Sequence, residues 1–316
     1  MRYLLVGGTG SWGTQLTKQL LLKEDTESIV MYSRNEHNQI MKEREFNHNP
    51  KLKFILGDIA DYLALLDVCA GIDVVFALAA TKHVPKCEEM PIQAIKTNIT
   101  GIECLIRASC LQGVSRVIYV STDKACLPSN VYGMTKALGE KLILNANGKS
   151  KTKFTCVRAG NVMGSAGSVI PLFIEQIKKN NEMLVTCKEM TRFFMTLEEA
   201  IGLLLLALAM DFQDADMWVM RMPSCTIGDL ALVLAHKYGN EFTIMIETGI
   251  RPGEKLHELL LSENETLNAY THGDNYYKIT KSICHYAKVS FKEYGSNTQP
   301  LMNHQEILTM LRKGGF

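Results

Sequence analysis

Short apolar runs alternate with longer amphipathic segments through the first half of the chain. The runs are rich in β-branched and aromatic residues, as expected for strands buried on both faces of a parallel sheet. They cover Arg2–Val6, Ser28–Tyr32, Phe54–Leu56, Val74–Ala80, Val117–Val120 and Phe154–Arg158. Because helical patterns separate these runs, the alternation predicts an α/β fold built on a doubly wound parallel sheet.

A glycine-rich turn follows the first predicted strand and precedes a predicted helix that ends near Leu22. Its sequence, over residues 7–13, is GGTGSWG. Glycines at these spacings let the backbone approach a pyrophosphate, and free N–H groups at the helix start bind phosphate. We therefore predict a Rossmann-type dinucleotide-binding turn. Its predicted cofactor contacts are Gly7, Gly10, Ser11, Trp12 and Gly13.

The end of the second predicted strand carries Ser33 and Arg34, where the choice of cofactor is usually made. A cofactor without a 2′-phosphate usually meets an acidic residue at this position. The planar fork of Arg34 suits a phosphate instead, so we predict NADP rather than NAD. The alternative is a solvated arginine, because Glu36 follows closely. After the third strand, Asp58 and Ile59 are expected to contact the adenine, although Asp58 suits a helix cap equally well.

The fifth predicted strand leads into the residues with the most distinctive chemistry. Tyr132 and Lys136 are four positions apart on a predicted helix and therefore share a face. An ammonium group beside the phenol favours its deprotonated form, which can act as a general base. At the strand end, Thr122, Asp123 and Lys124 add a hydroxyl, an acid and a second amine. These five residues are the predicted catalytic group.

The regular alternation ends near residue 160, and glycine and proline residues interrupt the pattern beyond it. A strongly apolar helical segment follows at Leu197–Met210. At 316 residues the chain exceeds one typical domain. We predict a dinucleotide-binding domain over residues 1–160 and a smaller, mainly substrate-binding lobe over residues 161–316. The chain is expected to return to the first domain around residues 192–222.

Composition and charge narrow the range of partners. The net charge of +1 gives no indication of binding to nucleic acid or to an anionic membrane. The nine cysteines include no Cys-x-x-Cys pair, which argues against a disulfide framework and a metal site. No apolar run approaches the roughly 20 residues of a membrane span, and the N-terminal run is short for a signal peptide. We therefore predict a soluble, cytoplasmic protein.

Motifs spread from residue 7 to residue 258 together resemble the extended short-chain dehydrogenase/reductase family. They are similar in particular to bacterial UDP-N-acetylglucosamine 4,6-dehydratases of the 5-inverting, pseudaminic acid type, which serve surface glycan or nonulosonic acid biosynthesis. The motifs are GGTGSWG, YSRNE, KHVP, KTNI, STDKA, YGMTK, GNVMGSAGSVIP, MTRF and RPGEKLHE. The resemblance implies NADP as cofactor, a UDP-activated sugar as substrate, and a homo-oligomer (dimer or hexamer) paired through the helices around Asn98–Cys110 and Tyr132–Ala146.

The resemblance also implies a division of chemical roles. Tyr132, helped by Lys136, takes the proton of the sugar 4-hydroxyl while hydride passes from carbon 4 to NADP, and Thr122 hydrogen-bonds the 4-oxygen. Lys124 removes the acidified hydrogen of carbon 5, provided that its pKa is depressed, and a protonated Asp123 donates to the departing 6-hydroxyl. Hydride then returns to carbon 6, which leaves a 4-keto-6-deoxy sugar.

Further site residues follow from the same resemblance. Arg192 and Arg251 suit the bidentate binding of a diphosphate, although a surface position is the usual alternative for an arginine. The implied sugar-nucleotide contacts are Lys82, Asn161, Arg192, Arg251 and Glu254. The implied further cofactor contacts are Ala79, Lys82, Asn98, Tyr132 and Lys136.

The chain departs from the family pattern at two places. Ala77 and Leu78 stand in the strand before KHVP, where relatives typically have a His-Ala-Ala run, and they alter the cofactor wall. Ala159 stands where a tyrosine is common before the Gly-Asn pair. Both departures concern the geometry around the nicotinamide and the sugar rather than the class of reaction.

Several other activities stay open at the level of sequence. A nucleotide-sugar 4-epimerase needs the tyrosine and the lysine but no acid–base pair, so Asp123 and Lys124 argue against it. A retaining 4,6-dehydratase, a 5,6-dehydratase and an enzyme for a differently activated sugar remain alternatives. A non-catalytic NADP-binding regulator is disfavoured because Tyr132 and Lys136 are both present.

Overall fold

The structure is a computed structural model that describes residues 1–165, 167–210, 216–282 and 285–316. Its strands are β1 (Arg2–Val6), β2 (Ser28–Ser33), β3 (Leu52–Leu56), β4 (Val74–Ala77), β5 (Arg116–Thr122), β6 (Lys153–Ala159), β7 (Asn161–Val162), β8 (Glu182–Val185), β9 (Thr191–Met195), β10 (Asp216–Met220), β11 (Ser224–Thr226), β12 (Ile244–Glu247), β13 (Leu259–Leu261), β14 (Ala269–His272), β15 (Tyr276–Ile279) and β16 (Tyr294–Gly295).

Helices connect most of these strands. They are α1 (Ser11–Leu21), α2 (Glu36–Glu45), α3 (Tyr62–Val68), α4 (Val84–Glu89), α5 (Pro91–Ile95), α6 (Gly101–Leu111), α7 (Val131–Ala146), α8 (Val169–Asn180), α9 (Leu197–Ala209), α10 (Ile227–Tyr238), α11 (Glu263–Thr266) and α12 (His304–Lys313). A π-helical turn, Lys96–Thr100, leads into α6, and a 3₁₀ turn, Asp123–Ala125, follows β5. None of the helices within the described residues is long and apolar enough to cross a membrane.

Within the described residues, nine strands form the central sheet, in the order β3-β2-β1-β4-β5-β6-β10-β15-β14. The first seven are parallel, and β15 and β14 extend the sheet with antiparallel pairs. The strand order reverses between β1 and β4, and ligands of such sheets bind beyond the carboxyl ends of the strands at this point. The predicted α/β fold with a Rossmann-type doubly wound sheet is confirmed.

Helices cover both faces of the sheet. Successive side chains of a strand point to opposite faces, and both sets are apolar here, so each face packs against helices. On one face, Tyr3 and Leu5 of β1 pack in a core that includes residues of α1 and α9. On the other face, Leu4 and Val6 pack in a core built with α3, α6 and α7. This double burial explains why the strands read as continuous apolar runs in the sequence.

A smaller lobe lies beyond the carboxyl ends of the strands. Its core joins α8, α10 and α12 to β8, and β12 pairs with β8 in parallel. A three-stranded sheet, β11-β9-β7, lies beside it. Between these elements the chain runs through α9 and β10, and β10 pairs with β6 of the central sheet. The division into domains at residue 160 stays a prediction.

Candidate active site

A cleft of about 720 Å³ lies beyond the carboxyl ends of β1, β2, β4 and β5, and the smaller lobe closes its other side. Its size is within the range of small-molecule and cofactor sites. All of the residues that the sequence predicts for catalysis, cofactor or substrate line this cleft except Gly13, Asp58, Asn98 and Asp123. The structure therefore gathers residues from the whole predicted list around one cavity.

The glycine-rich turn forms the floor of the cleft at the start of α1. Gly10 is the N-cap of α1 and supplies no side-chain cap, so the first N–H groups of the helix have no side-chain partner at that position. Gly7 has φ +88°, and a Cβ atom there would lie 2.6 Å from the backbone nitrogen of Ala79. Only glycine allows this approach. A pyrophosphate fits such a turn because the helix N-terminus attracts anions.

Two cations converge on Asp58 at the corner of the cleft beside β2. Arg34 Nη1 lies 3.8 Å from Asp58 Oδ2, and Lys96 Nζ lies 3.9 Å from the same oxygen. The alternative that Asp58 caps a helix is wrong, because the N-cap of α3 is Asp61. Asp58 instead accepts from the N–H of Ala60. Sequence reasoning missed Lys96, which is distant from Arg34 along the chain and carries no local signal.

Asn98 lies behind the cleft wall rather than on it. Its amide nitrogen donates to the carbonyl of Thr81 and to the hydroxyl of Thr135, and its amide oxygen accepts from the N–H of Thr81. Asn98 therefore ties the segment that carries Lys82 to helix α7. Lys82 does line the cleft, and burial lowers the pKa of its amine.

A buried acid–base cluster forms where β5 ends in its 3₁₀ turn. Asp123 is only 1% exposed, and its Oδ1 accepts from the Thr122 hydroxyl at 2.9 Å and from Lys124 Nζ at 3.0 Å. Glu258, only 3% exposed, brings its Oε1 within 3.5 Å of the same ammonium nitrogen. Among the described residues, the second oxygen of each carboxylate, Asp123 Oδ2 and Glu258 Oε2, has no hydrogen-bond partner. Sequence reasoning missed Glu258 as a member of the site.

The condition set for Lys124 as the base, a depressed pKa, is not met in the folded protein. Burial lowers the pKa of the amine, but the carboxylates of Asp123 and Glu258 raise it, and the net direction is upward. An opposite charge within hydrogen-bond distance favours the charged form. Lys124 therefore starts as an ammonium ion paired with Asp123.

The predicted lowering of the Tyr132 pKa by Lys136 is wrong. Burial raises the pKa of the Tyr132 phenol to about 12, against the smaller opposing effects of Lys124 and a hydrogen bond with Thr122. Lys136 Nζ instead donates to the Val120 carbonyl at 2.5 Å and lies 3.8 Å from the centre of the Tyr119 ring. Burial lowers the pKa of the Lys136 amine to about 7. The cation that favours the phenolate of Tyr132 is thus Lys124.

The lobe side of the cleft carries the predicted sugar-nucleotide residues. Arg251 is largely exposed and pairs weakly with Glu254, at 3.8 Å. Arg192 is more enclosed, and its guanidinium donates to the backbone carbonyls of residues 191, 255 and 256. Asn161 donates to the carbonyl of Phe193 at 3.1 Å. Arg251 is therefore the less constrained of the two arginines.

The departures from the family pattern fall partly on the cleft. Leu78 and Ala159 line it, and Ala77 is buried in the core beneath it. Leu78 and Ala159 therefore present apolar side chains to the cleft at these two places.

Comparison of the sequence with known proteins identifies the family of the chain. The sequence profile described as polysaccharide biosynthesis protein matches residues 3–280. A protein named UDP-glucose 4-epimerase, from Rickettsia bellii (strain RML369-C), is 39% identical over 98% of this chain and 94% of its own length. A protein named UDP-N-acetylglucosamine 4,6-dehydratase (inverting), from Campylobacter jejuni subsp. jejuni serotype O:2, is 39% identical over 89% of this chain and 83% of its own.

Solved structures share the fold. The X-ray structure of Pen from Bacillus thuringiensis matches with a TM-score of 0.93 at 35% identity, over 99% of this chain and 97% of that chain. The dTDP-glucose 4,6-dehydratase DesIV from Streptomyces venezuelae, solved with NAD and TYD, matches with a TM-score of 0.74 over 81% of this chain and 87% of its own. Its identity of 20% supports the fold alone. Relatives of the chain are named as nucleotide-sugar 4,6-dehydratases and epimerases. The resemblance stated from the motifs is therefore confirmed. The chain is an enzyme of the polysaccharide biosynthesis protein family, within the extended short-chain dehydrogenase/reductases.

Proposed function

We propose that the protein is an NADP-dependent 4,6-dehydratase that converts UDP-N-acetylglucosamine into the 4-keto-6-deoxy sugar with inversion at carbon 5. The observation that carries this proposal is the buried pair of Asp123 and Lys124, joined at 3.0 Å. The hydroxyl of Thr122 links this pair to Tyr132. Epimerisation at carbon 4 needs no acid and base beyond the tyrosine, whereas loss of water across carbons 5 and 6 needs both.

The two cations beside β2, Arg34 and Lys96, support NADP as the cofactor in this proposal. The turn at Gly7 and Gly10 would hold the pyrophosphate, and Arg34 with Lys96 would hold the 2′-phosphate in place of the acid that binds an unphosphorylated ribose. A nicotinamide cofactor bound there supplies a hydride acceptor for carbon 4 and a hydride donor for carbon 6.

Tyr132 takes the proton of the 4-hydroxyl in this scheme. A phenol with a pKa of about 12 holds its proton at neutral pH, so Tyr132 first gives this proton to solvent in the cleft, and the phenolate that then takes the 4-hydroxyl proton needs stabilisation. The ammonium ion of Lys124 and the hydroxyl of Thr122 provide it, since both lower the pKa of the phenol.

The Asp123–Lys124 pair then performs the elimination through an internal proton transfer. Transfer from Lys124 Nζ to Asp123 Oδ1 breaks an N–H bond and forms an O–H bond along the existing hydrogen bond. The resulting amine takes the proton of carbon 5, and the resulting acid gives its proton to the departing 6-hydroxyl. Lys124 ends as an ammonium ion and Asp123 as a carboxylate, so the pair returns to its starting state. When hydride then adds to carbon 6, carbon 5 takes a proton that comes from solvent, on the face opposite Lys124, and this gives the inversion.

The sugar nucleotide is held from the lobe side. Arg251 offers a largely exposed guanidinium at the cleft, which suits a diphosphate. Glu254 and Asn161 add polar groups for the sugar. The choice of UDP-N-acetylglucosamine is supported by the name of the Campylobacter relative.

The test is the product formed from UDP-N-acetylglucosamine, followed by mass spectrometry and proton NMR. We expect the loss of one water from the sugar and a new methyl signal for carbon 6. A sugar nucleotide of unchanged mass with an inverted carbon 4 would support the second candidate, a 4-epimerase. That candidate is favoured by the 39% identity to a protein named UDP-glucose 4-epimerase over nearly the whole chain.

A further inference from the structure

The lobe segment that carries Arg251 is fastened to the chain entering α7. Lys255 Nζ donates to the carbonyl of Cys126 at 2.7 Å. The carbonyl of Gly253 accepts from the Ser129 hydroxyl and from Asn130 Nδ2, each at 2.9 Å. Three side chains thus join residues 253–255 to residues 126–130, which lie more than a hundred positions earlier in the chain.

Asn130 uses both ends of its side-chain amide at this junction. Its Oδ1 accepts from the N–H of Gly133 at 2.8 Å and caps α7, while its Nδ2 holds the carbonyl of Gly253. The side chain is 5% exposed. An aspartate in its place caps a helix equally well but has no N–H to donate, and a serine caps but is too short to span both partners.

The backbone of the lobe segment is shaped for this contact. Gly253 has φ +79°, and a Cβ atom there would lie 2.9 Å from the Cβ of Asn130. The close approach brings the segment 251–254, whose Arg251 and Glu254 line the cleft, against the first turn of α7. Tyr132 is the second residue of that helix.

We propose that Asn130 is a positioning residue that couples sugar-nucleotide binding at Arg251 to the placement of Tyr132. A ligand that pulls on the segment 251–254 moves or stiffens the Gly253 carbonyl, and Asn130 transmits this to the start of α7. The coupling rests on the proposed function only through the oxidation at carbon 4, which dehydratases and epimerases share.

Two variants separate this coupling from helix capping. Asn130→Asp and Asn130→Ser each keep a capping oxygen and lose the donor to Gly253. The matched control is Asn303→Asp, which makes the same substitution at the N-cap of α12, a residue that does not line the cleft. We expect thermal midpoints close to that of the wild type for all three, because the caps are retained.

The first readout is a single turnover of UDP-N-acetylglucosamine, followed by the absorbance of the reduced nicotinamide. We expect both Asn130 variants to slow this oxidation by about 10- to 100-fold, because small misplacements of reacting groups cost rates of that order. Asn303→Asp should react at the wild-type rate. An oxidation rate within about twofold of wild type in either Asn130 variant overturns the proposal.

The second readout needs no turnover and therefore separates failure of the coupling from failure of the proposed function. Amide hydrogen exchange is measured over residues 131–136 with and without UDP. We expect UDP to slow exchange there in the wild type and in Asn303→Asp, and to leave it unchanged in both Asn130 variants. Equal protection in the Asn130 variants, or none in the wild type, overturns the coupling whatever the product of the reaction is.

Discussion

The ammonium nitrogen of Lys124 and the Oδ1 atom of Asp123 are 3.0 Å apart at the buried end of β5. Adjacent residues in a chain seldom pair through their side chains, and here the 3₁₀ turn after β5 brings them together. The pair begins as carboxylate and ammonium, and one proton transfer along the hydrogen bond makes it acid and amine. In the proposed function, this pair equips the site for elimination and not only for oxidation and reduction at carbon 4.

Glu258 sets the pH range in which Lys124 can act as an amine. The carboxylates of Asp123 and Glu258 raise the pKa of Lys124, so removing one of them lowers it. Glu258→Gln should therefore shift the pH dependence of hydrogen exchange at carbon 5 toward lower pH, while the exposed control Glu263→Gln leaves it in place. Overlapping pH curves for Glu258→Gln and the wild type would remove Glu258 from the cluster.

Lys136 imposes a pH dependence on stability. Its pKa is about 7 in the folded protein, below the ordinary lysine value of about 10.4. Between these values the unfolded chain binds more protons, so the free energy of unfolding rises with pH, by at most about 1.4 kcal/mol per pH unit. Lys136→Met should lack this rise in urea unfolding of the cofactor-free protein. Curves for the two proteins that run parallel from pH 7 to pH 10 would contradict the assignment.

Removing either Arg34 or Lys96 should weaken the binding of NADP more than the binding of NAD. Arg34→Ala and Lys96→Ala each remove a cation that faces Asp58, so each should weaken NADP binding while NAD binding changes little. Lys42→Ala, on α2 and outside the cleft lining, is the control. Titration calorimetry with both cofactors measures the difference, and equal losses for NADP and NAD would refute the role of the two cations.

Exposed apolar side chains on α7 support the proposed homo-oligomer. Met134 and Leu138 are one turn apart and are 53% and 47% exposed, and Ile92 of α5 is 77% exposed. Such patches mark interaction surfaces in soluble proteins. Leu138→Glu should lower the mass found by light scattering, whereas Leu267→Glu, a substitution at an exposed site between α11 and β14, should not. A monomeric wild type at micromolar concentration would contradict the proposal.

The sheet and most of the cleft could be predicted from the sequence because their signals are local. Continuous apolar runs identify strands buried on two faces. The spacing of the glycines after β1 identifies the turn at Gly7, where the structure leaves no room for a Cβ atom. Thr122, Asp123 and Lys124 are consecutive, and Tyr132 and Lys136 share a helix face. Their proximity required no knowledge of the tertiary fold.

The charged partners of the site residues, and the pKa shifts that they cause, could not be predicted from local sequence patterns. Lys96 and Glu258 reach the site from distant parts of the chain, and no local pattern connects them to Arg34 or Lys124. The predicted lowering of the Tyr132 pKa was wrong because the burial of the phenol was unknown. The condition set for Lys124 is not met because Asp123 and Glu258 raise the pKa of its amine.

A buried ion network behind α7 was equally invisible in the sequence. Arg158 of β6 is 1% exposed and pairs with Glu140 at 2.7 Å and with Glu265 at 2.8 Å. Arg158 lowers the pKa of Glu265 to about 2 against the opposing effect of burial. The network joins the catalytic helix to the sheet and to α11, and only the tertiary fold brings its members together.

The entry of solvent deuterium at carbon 5 of the sugar, measured in heavy water, separates dehydration from epimerisation at this site. The wild type should give a 4-keto-6-deoxy product that carries deuterium at carbon 5. Tyr132→Phe should show neither reduction of bound cofactor nor exchange. Lys124→Ala should still reduce bound cofactor, more slowly because the Tyr132 phenolate loses its neighbouring cation, and should lose exchange by about 100- to 10,000-fold. A wild-type product with an inverted carbon 4 and no deuterium at carbon 5, or a Lys124→Ala variant that exchanges at the wild-type rate, would contradict the account.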